Sequence, residues 1–169
     1  MLVYFLLNFF LFSIFGWILE NIYSLFSYGH FQKDGFLSLP FKPMYGITMS
    51  TLILLHETIA TNNYIFVPLC LLVPTSIEYI TGKIMRTYFN KDYWDYSKCR
   101  FNVNGLICAK FSIYWTFLSY IGVLYVYPII SNKLYIFLYP YSILITTLLS
   151  LILLIDIIIT LKHFSLGTN

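Results

Sequence analysis

Four ionisable side chains, Glu20, Glu78, Asp156 and Lys110, each interrupt a long hydrophobic run. A charge placed in hydrocarbon costs a few kcal/mol or more, so such groups are normally packed against protein or water and often mark an ion or solute path. Glu78 has a further distinction: it lies one helical turn after Pro74, which removes a backbone hydrogen bond from any helix that contains it. Irregular backbone at membrane depth survives only where it is buried in protein or lines a water-filled cavity. A plainer reading is open for Glu20, Asp156 and Lys110, whose polar tips can extend from a helix end to the headgroups.

The elements that must position these groups are apolar segments. Of 169 residues, 59% are hydrophobic and only 10% charged; a soluble domain usually carries about 25% charged residues and needs them to face water. Spanning helices take roughly 20 residues each, and five segments of about that length stand out: about 2–26, 43–60, 64–88, 104–127 and 134–161. They predict an all-α integral membrane protein, a single polytopic domain over 1–169, with loops at about 27–42 and 89–103. The fourth segment is expected to stop at Pro128. The first has no basic leader and no small-residue cleavage site, so it reads as a retained helix and not as a signal peptide.

Charge sets the expected orientation. One side holds Lys33, Lys42, Lys83, Arg86, Lys91, Lys98, Arg100 and Lys162, while the other holds only Lys133. The positive-inside rule then places the N-terminus outside, with both long loops and the C-terminus in the cytoplasm. In that arrangement Glu20, Glu78, Asp156 and Lys110 all fall in the cytoplasmic half of the bilayer, Lys110 about 9 Å into helix four.

Helical spacing gathers small and hydroxylated residues on the same faces. The stripes are Ser13, Gly16, Glu20, Ser24 and Ser27 on helix one, and Thr75, Glu78 and Gly82 on helix three, with Thr81 adjoining. Helix four carries Gly105, Ala109, Ser112, Thr116 and Ser119, and helix five carries Ser142, Thr146, Asp156, Thr160 and His163. Such residues let membrane helices approach closely and bond across the contact. Ordinary packing explains most of them, but not the carboxylates set within three of the stripes.

Both long loops are unusually aromatic. The stretch from Gln32 to Gly46, with Gly35, Phe36 and Tyr45, mixes turn residues with apolar ones and is expected to fold back against the helix ends or dip into the interface. In the second loop, Tyr93, Trp94, Asp95, Tyr96 and Ser97 either anchor at the headgroups or face a substrate. Other chemistry is sparse. Cys70, Cys99 and Cys108 form no C-x-x-C pair and read as reduced structural thiols. His30, His56 and His163 are far apart, so no metal or cofactor site is indicated. The basic residues are too scattered for a nucleic-acid surface.

Several motifs occur in order across about residues 16–116: Gly16-Trp17-Ile18-Leu19-Glu20, Gly35-Phe36-Leu37, Pro43-Met44-Tyr45-Gly46, Glu78-Tyr79-Ile80-Thr81-Gly82, Trp94-Asp95-Tyr96-Ser97 and Asn102-Val103-Asn104-Gly105-Leu106-Ile107. In these the chain resembles the ABC-transporter type IV family, the CmpB-like permease proteins of mainly Gram-positive bacteria. It departs from the family pattern at Lys33-Asp34, where Asn-Arg is typical, at Leu39 in place of a glycine, and at Leu106 in place of an arginine. The resemblance implies a multi-pass protein of the bacterial plasma membrane that acts in transport. The motif residues Glu20, Gly35, Phe36, Tyr45, Gly46, Glu78, Thr81, Gly82, Trp94, Asp95, Tyr96, Ser97, Asn102 and Gly105 join Lys110 and Asp156 as candidates for a polar site and its loops.

Three functions fit. A permease-like transport subunit would need a separate ATPase, because Gly82-Lys83 lacks the rest of a P-loop, and a second permease copy, making a homo- or hetero-oligomer in the lipid bilayer. A membrane-embedded enzyme acting on a lipid or lipid-linked group would use Glu78 as general base, although no nucleophile or metal set accompanies it. A non-catalytic assembly or regulatory subunit would need only the small-residue stripes.

Overall fold

The computed structural model describes residues 1–31, 35–59, 62–130 and 135–166. Lys33, Asp34 and Lys133, which entered the charge and motif arguments, lie outside them. The chain is helical almost throughout: α1 (Leu2–Tyr28), α2 (Pro43–Thr58), α3 (Asn63–Phe89), α4 (Ala109–Ile121), α5 (Tyr127–Ile130), α6 (Ile136–Leu138) and α7 (Ser142–Leu166). Two short strands, β1 (Asn102–Val103) and β2 (Ile107–Cys108), pair antiparallel. Four helical stretches are long and apolar enough to cross a membrane: Leu2–Tyr28, Asn63–Phe89, Ala109–Ile130 and Tyr139–Phe164. At 16 residues α2 is shorter than the roughly 20 that a full span uses.

Burial runs opposite to that of a soluble protein. Asn8, Ser13, Asn21 and Ser24 of α1 are buried, as are Ser142, Thr146, Asp156 and Thr160 of α7, while Phe15, Ile18, Ile22, Leu144, Leu151 and Ile155 are exposed. A water-facing surface does not carry that much apolar area. Facing lipid, it leaves the polar stripes as the contacts between helices.

The chain divides into two compact units, 1–46 with 140–169, and 47–139. In the first unit the segment after α1 turns back and runs deep between α1 and α7. Gly29 ends α1 in the left-handed conformation (φ 74°), its N–H closing on the Leu25 carbonyl. The His30 carbonyl accepts from Ser24 Oγ at 2.8 Å. Phe36 stacks on Phe164, with ring centres 5.7 Å apart, and Leu37 and Phe41 join Phe9 and Phe10 in a core flanked by Leu149, Leu153 and Ile157. By Lys42 the backbone N–H reaches the Ser13 carbonyl at 3.1 Å. The segment thus descends past positions 24 to 13 of α1 and 164 to 149 of α7, so the two helices run parallel. Fifteen helical residues span about 22 Å. The descent goes well beyond folding back against the helix ends.

In the second unit α3 packs along α4, and Phe66 is wholly buried between the rings of His56 and Tyr120. Despite Pro68 and Pro74, α3 is continuous from Asn63 to Phe89. Asn62 caps it by accepting the Tyr64 N–H at 2.9 Å, and Asn90 (φ 50°) ends it.

Helix four differs from its expected start at about 104. Asn104 and Gly105 both have positive φ, 55° and 71°, and the Leu106 N–H closes on the Val103 carbonyl at 3.0 Å. This is the primed turn that Asn-Gly favours in hairpins, and it makes 102–108 a hairpin, so α4 begins at Ala109. Gly105 therefore belongs to the turn and not to the helical stripe, and Lys110 lies in the first turn of α4 and not some 9 Å along it. The helix also runs past Pro128 to Ile130, through a π-helical turn at Gly122–Val126. Pro128 cannot donate to the carbonyl four residues before it and its ring crowds that carbonyl; the widened turn sits where that crowding falls.

Candidate functional site

The candidate residues sort into the two units. Glu20, Gly35, Phe36, Tyr45, Gly46 and Asp156 fall in the first; Glu78, Thr81, Gly82, Trp94, Asp95, Tyr96, Ser97, Asn102, Gly105 and Lys110 fall in the second.

In the first unit the carboxylates pin the descending segment. Backbone that is not helical must find its hydrogen bonds within the protein at membrane depth. Asp156, only 4% exposed, supplies two of them: Oδ1 accepts the Ser38 N–H at 3.2 Å and Oδ2 the Leu39 N–H at 3.1 Å. Lys42 Nζ reaches Glu20 Oε2 at 2.6 Å, so the lysine that follows the descent is neutralised on α1. Tyr45 and Gly46 make the close approach possible. A side chain on Gly16 would strike the Tyr45 ring, and one on Gly46 would meet the Phe9 carbonyl and Ser13. The Gly35 backbone lies against the Lys42 side chain.

In the second unit the segment between α3 and α4 folds over the end of α3. Trp94 Nε1 donates to the Leu106 carbonyl at 2.8 Å, and its ring lies over Gly82, where an added Cβ would come within 3.0 Å of Trp94 Cζ2 and 2.9 Å of Leu106 Cδ2. Asp95 accepts both the N–H and the hydroxyl of Ser97, at 2.8 and 2.9 Å. These bonds hold its carboxyl below the usual aspartate range. Asn102 donates to the Cys99 carbonyl at 2.8 Å and accepts the Gly105 N–H at 3.1 Å. Arg86 bridges Asp92 and the Asn104 carbonyl, both at 2.7 Å. Lys110 is exposed, 5.8 Å from the ring centres of Phe111 and Tyr114.

Beneath this cap lies Glu78, 2% exposed. Tyr96, stacked on Phe111 at 4.6 Å, donates its hydroxyl to Glu78 Oε1 at 3.0 Å. From α4 the Trp115 side chain acts on the carboxylate as a second donor, and Oε2 makes no hydrogen bond of standard geometry. Thr81, three residues after Glu78 on α3, is half-buried. No group of three or more His, Cys, Asp or Glu able to hold a metal ion occurs among the described residues.

Sequence reasoning missed Trp115, the buried amides Asn8 and Asn21, and the partnership of Lys42 with Glu20. Asn8 and Asn21 donate to the Tyr4 and Trp17 carbonyls, one turn earlier on their own helix; two amides in an apolar span were a readable signal. Nothing in the residue types singled out Trp115.

Helices of spanning length, with polar stripes turned inward and apolar faces turned outward, define an all-helical membrane protein. Within that class the chain belongs to the family described as "Putative ABC-transporter type IV", whose model matches residues 7–161. No curated protein and no solved structure matches it.

Proposed function

We propose that the chain is a permease-like subunit of an ATP-driven transporter in the bacterial plasma membrane, with Glu78 at the centre of its polar site. Family membership supports the transport role. The observation that carries the choice of Glu78 is its buried Oε2, which makes no hydrogen bond of standard geometry. Asp156 is occupied by two backbone N–H groups, Glu20 by Lys42 and Asp95 by Ser97, whereas Glu78 is buried and, among the described residues, meets only the uncharged donors Tyr96 and Trp115. The distribution of Lys and Arg supports an external N-terminus and a cytoplasmic cap over this site. Energy comes from a separate ATPase subunit, since the chain has no P-loop. Affinity purification of the tagged chain from its native membrane in mild detergent tests this. An ATP-hydrolysing partner that co-elutes is the expected result; a chain that elutes alone, with no ATP-dependent flux in liposomes made from those membranes, would overturn it.

A further inference from the structure

Glu78 Oε2 is not the only buried oxygen without a partner on its face of α3. Thr75 lies three residues earlier, one turn away on the same side, and its Oγ1 is likewise buried with no hydrogen bond. A threonine in a helix ordinarily returns its hydroxyl to the carbonyl one turn back. Thr58 and Thr116 in the same unit do so, at 2.7 and 2.8 Å, and Thr75 does not. Two oxygens one turn apart on α3 are thus each kept from water, one of them on a carboxylate, with Tyr96 Oη against the other carboxylate oxygen.

Among the described residues no salt bridge is formed to this carboxylate. Lys42 pairs with Glu20 and Arg86 with Asp92, and Lys83, on α3 itself, lies by the Tyr79 ring. The groups that act on Glu78 are the uncharged side chains of Trp115 from α4 and Tyr96 from the cap. Lys110, the nearest basic residue of α4 in sequence, is exposed beside Phe111 and Tyr114. An ionised carboxylate so placed carries a desolvation penalty that two uncharged donors offset only in part and that a bound positive charge would relieve.

We propose that Glu78 and Thr75 form a binding position for a small monovalent cation, a proton or a sodium ion, which the transporter takes up and releases. A proton on Oε2 converts that oxygen into a donor for a neighbouring acceptor such as Thr75 Oγ1. A sodium ion would instead be shared by the carboxylate and hydroxyl oxygens. The proposal deepens the transport reading and rests on it for its physiological meaning, but the binding itself needs neither ATPase nor flux.

Infrared difference spectroscopy of the full-length protein in liposomes reads the carboxyl directly. The expected result is a protonated-carboxyl band that Glu78→Gln abolishes and that disappears as pH rises. If sodium at constant pH also removes the band, the ion is sodium; if sodium has no effect, it is the proton. Thr75→Val, which removes one neutral hydrogen-bonding partner, should shift the half-point of pH or sodium by about fivefold in concentration. An ionised Glu78 band that neither pH nor sodium alters, in a Thr75→Val protein indistinguishable from wild type, would overturn the proposal. An ATPase that failed to co-purify would sink the transport reading and leave this result standing.

Discussion

Asp156 of α7 accepts the backbone N–H of Leu39 at 3.1 Å, across 117 positions of sequence. With the matching bond from Ser38, this gives an intramembrane carboxylate the role of a bracket for non-helical backbone. Hydrogen bonds to a charged acceptor are worth about 1.5–3 kcal/mol each in net terms. Asp156→Asn keeps the shape but loses the charge and one acceptor oxygen. It should destabilise the protein by about 1–3 kcal/mol and open the descending segment to protease, as measured by denaturant unfolding and limited proteolysis in detergent. An unchanged digestion pattern would argue against the bracket.

Lys42 and Glu20 are 19% and 23% exposed, buried enough that removing one partner strands the other. Glu20→Gln and Lys42→Met should each destabilise more than the cost of the double variant would imply, with a coupling of about 0.5–3 kcal/mol in a double-mutant cycle. Additive effects would mean that the pair is incidental.

The Asp95–Ser97 turn gives the cap a pH dependence of known sign. Its two bonds from Ser97 lower the folded-state pKa. Their contribution is therefore present above the unfolded aspartate value and lost as pH falls through the lower folded one. Hydrogen exchange of residues 95–105 should quicken, relative to the intrinsic rate, only on acidification below the ordinary aspartate range. Asp95→Asn should remove that dependence.

Much of the architecture was legible because hydrocarbon imposes simple demands: length, hydropathy and small-residue spacing mark the spanning helices directly. The hairpin was legible in principle, since Asn104-Gly105 is the strongest short hairpin signal, but the apolar run that follows reads equally as helix. The depth of the 35–42 segment was not legible. It depends on a carboxylate 117 residues away and on Gly16 and Gly46, whose missing side chains make room for Tyr45, Phe9 and Ser13. Among the three carboxylates the sequence set Glu78 apart by its place one turn after Pro74, but it showed no partner for Glu20 or Asp156. Those partners complete the division, two carboxylates committed to backbone N–H groups or a lysine and one buried among uncharged donors.

That division is tested most directly by comparing Glu78→Gln with wild type in the purified transporter complex, measuring unfolding stability and ATP-driven transport on the same sample. The account predicts a stability change within about 1 kcal/mol, the range of a single neutral hydrogen bond, together with a loss of transport of at least about tenfold. A variant that is strongly destabilised, yet transports normally per folded complex, would show that Glu78 holds the fold as Asp156 does and would contradict the account.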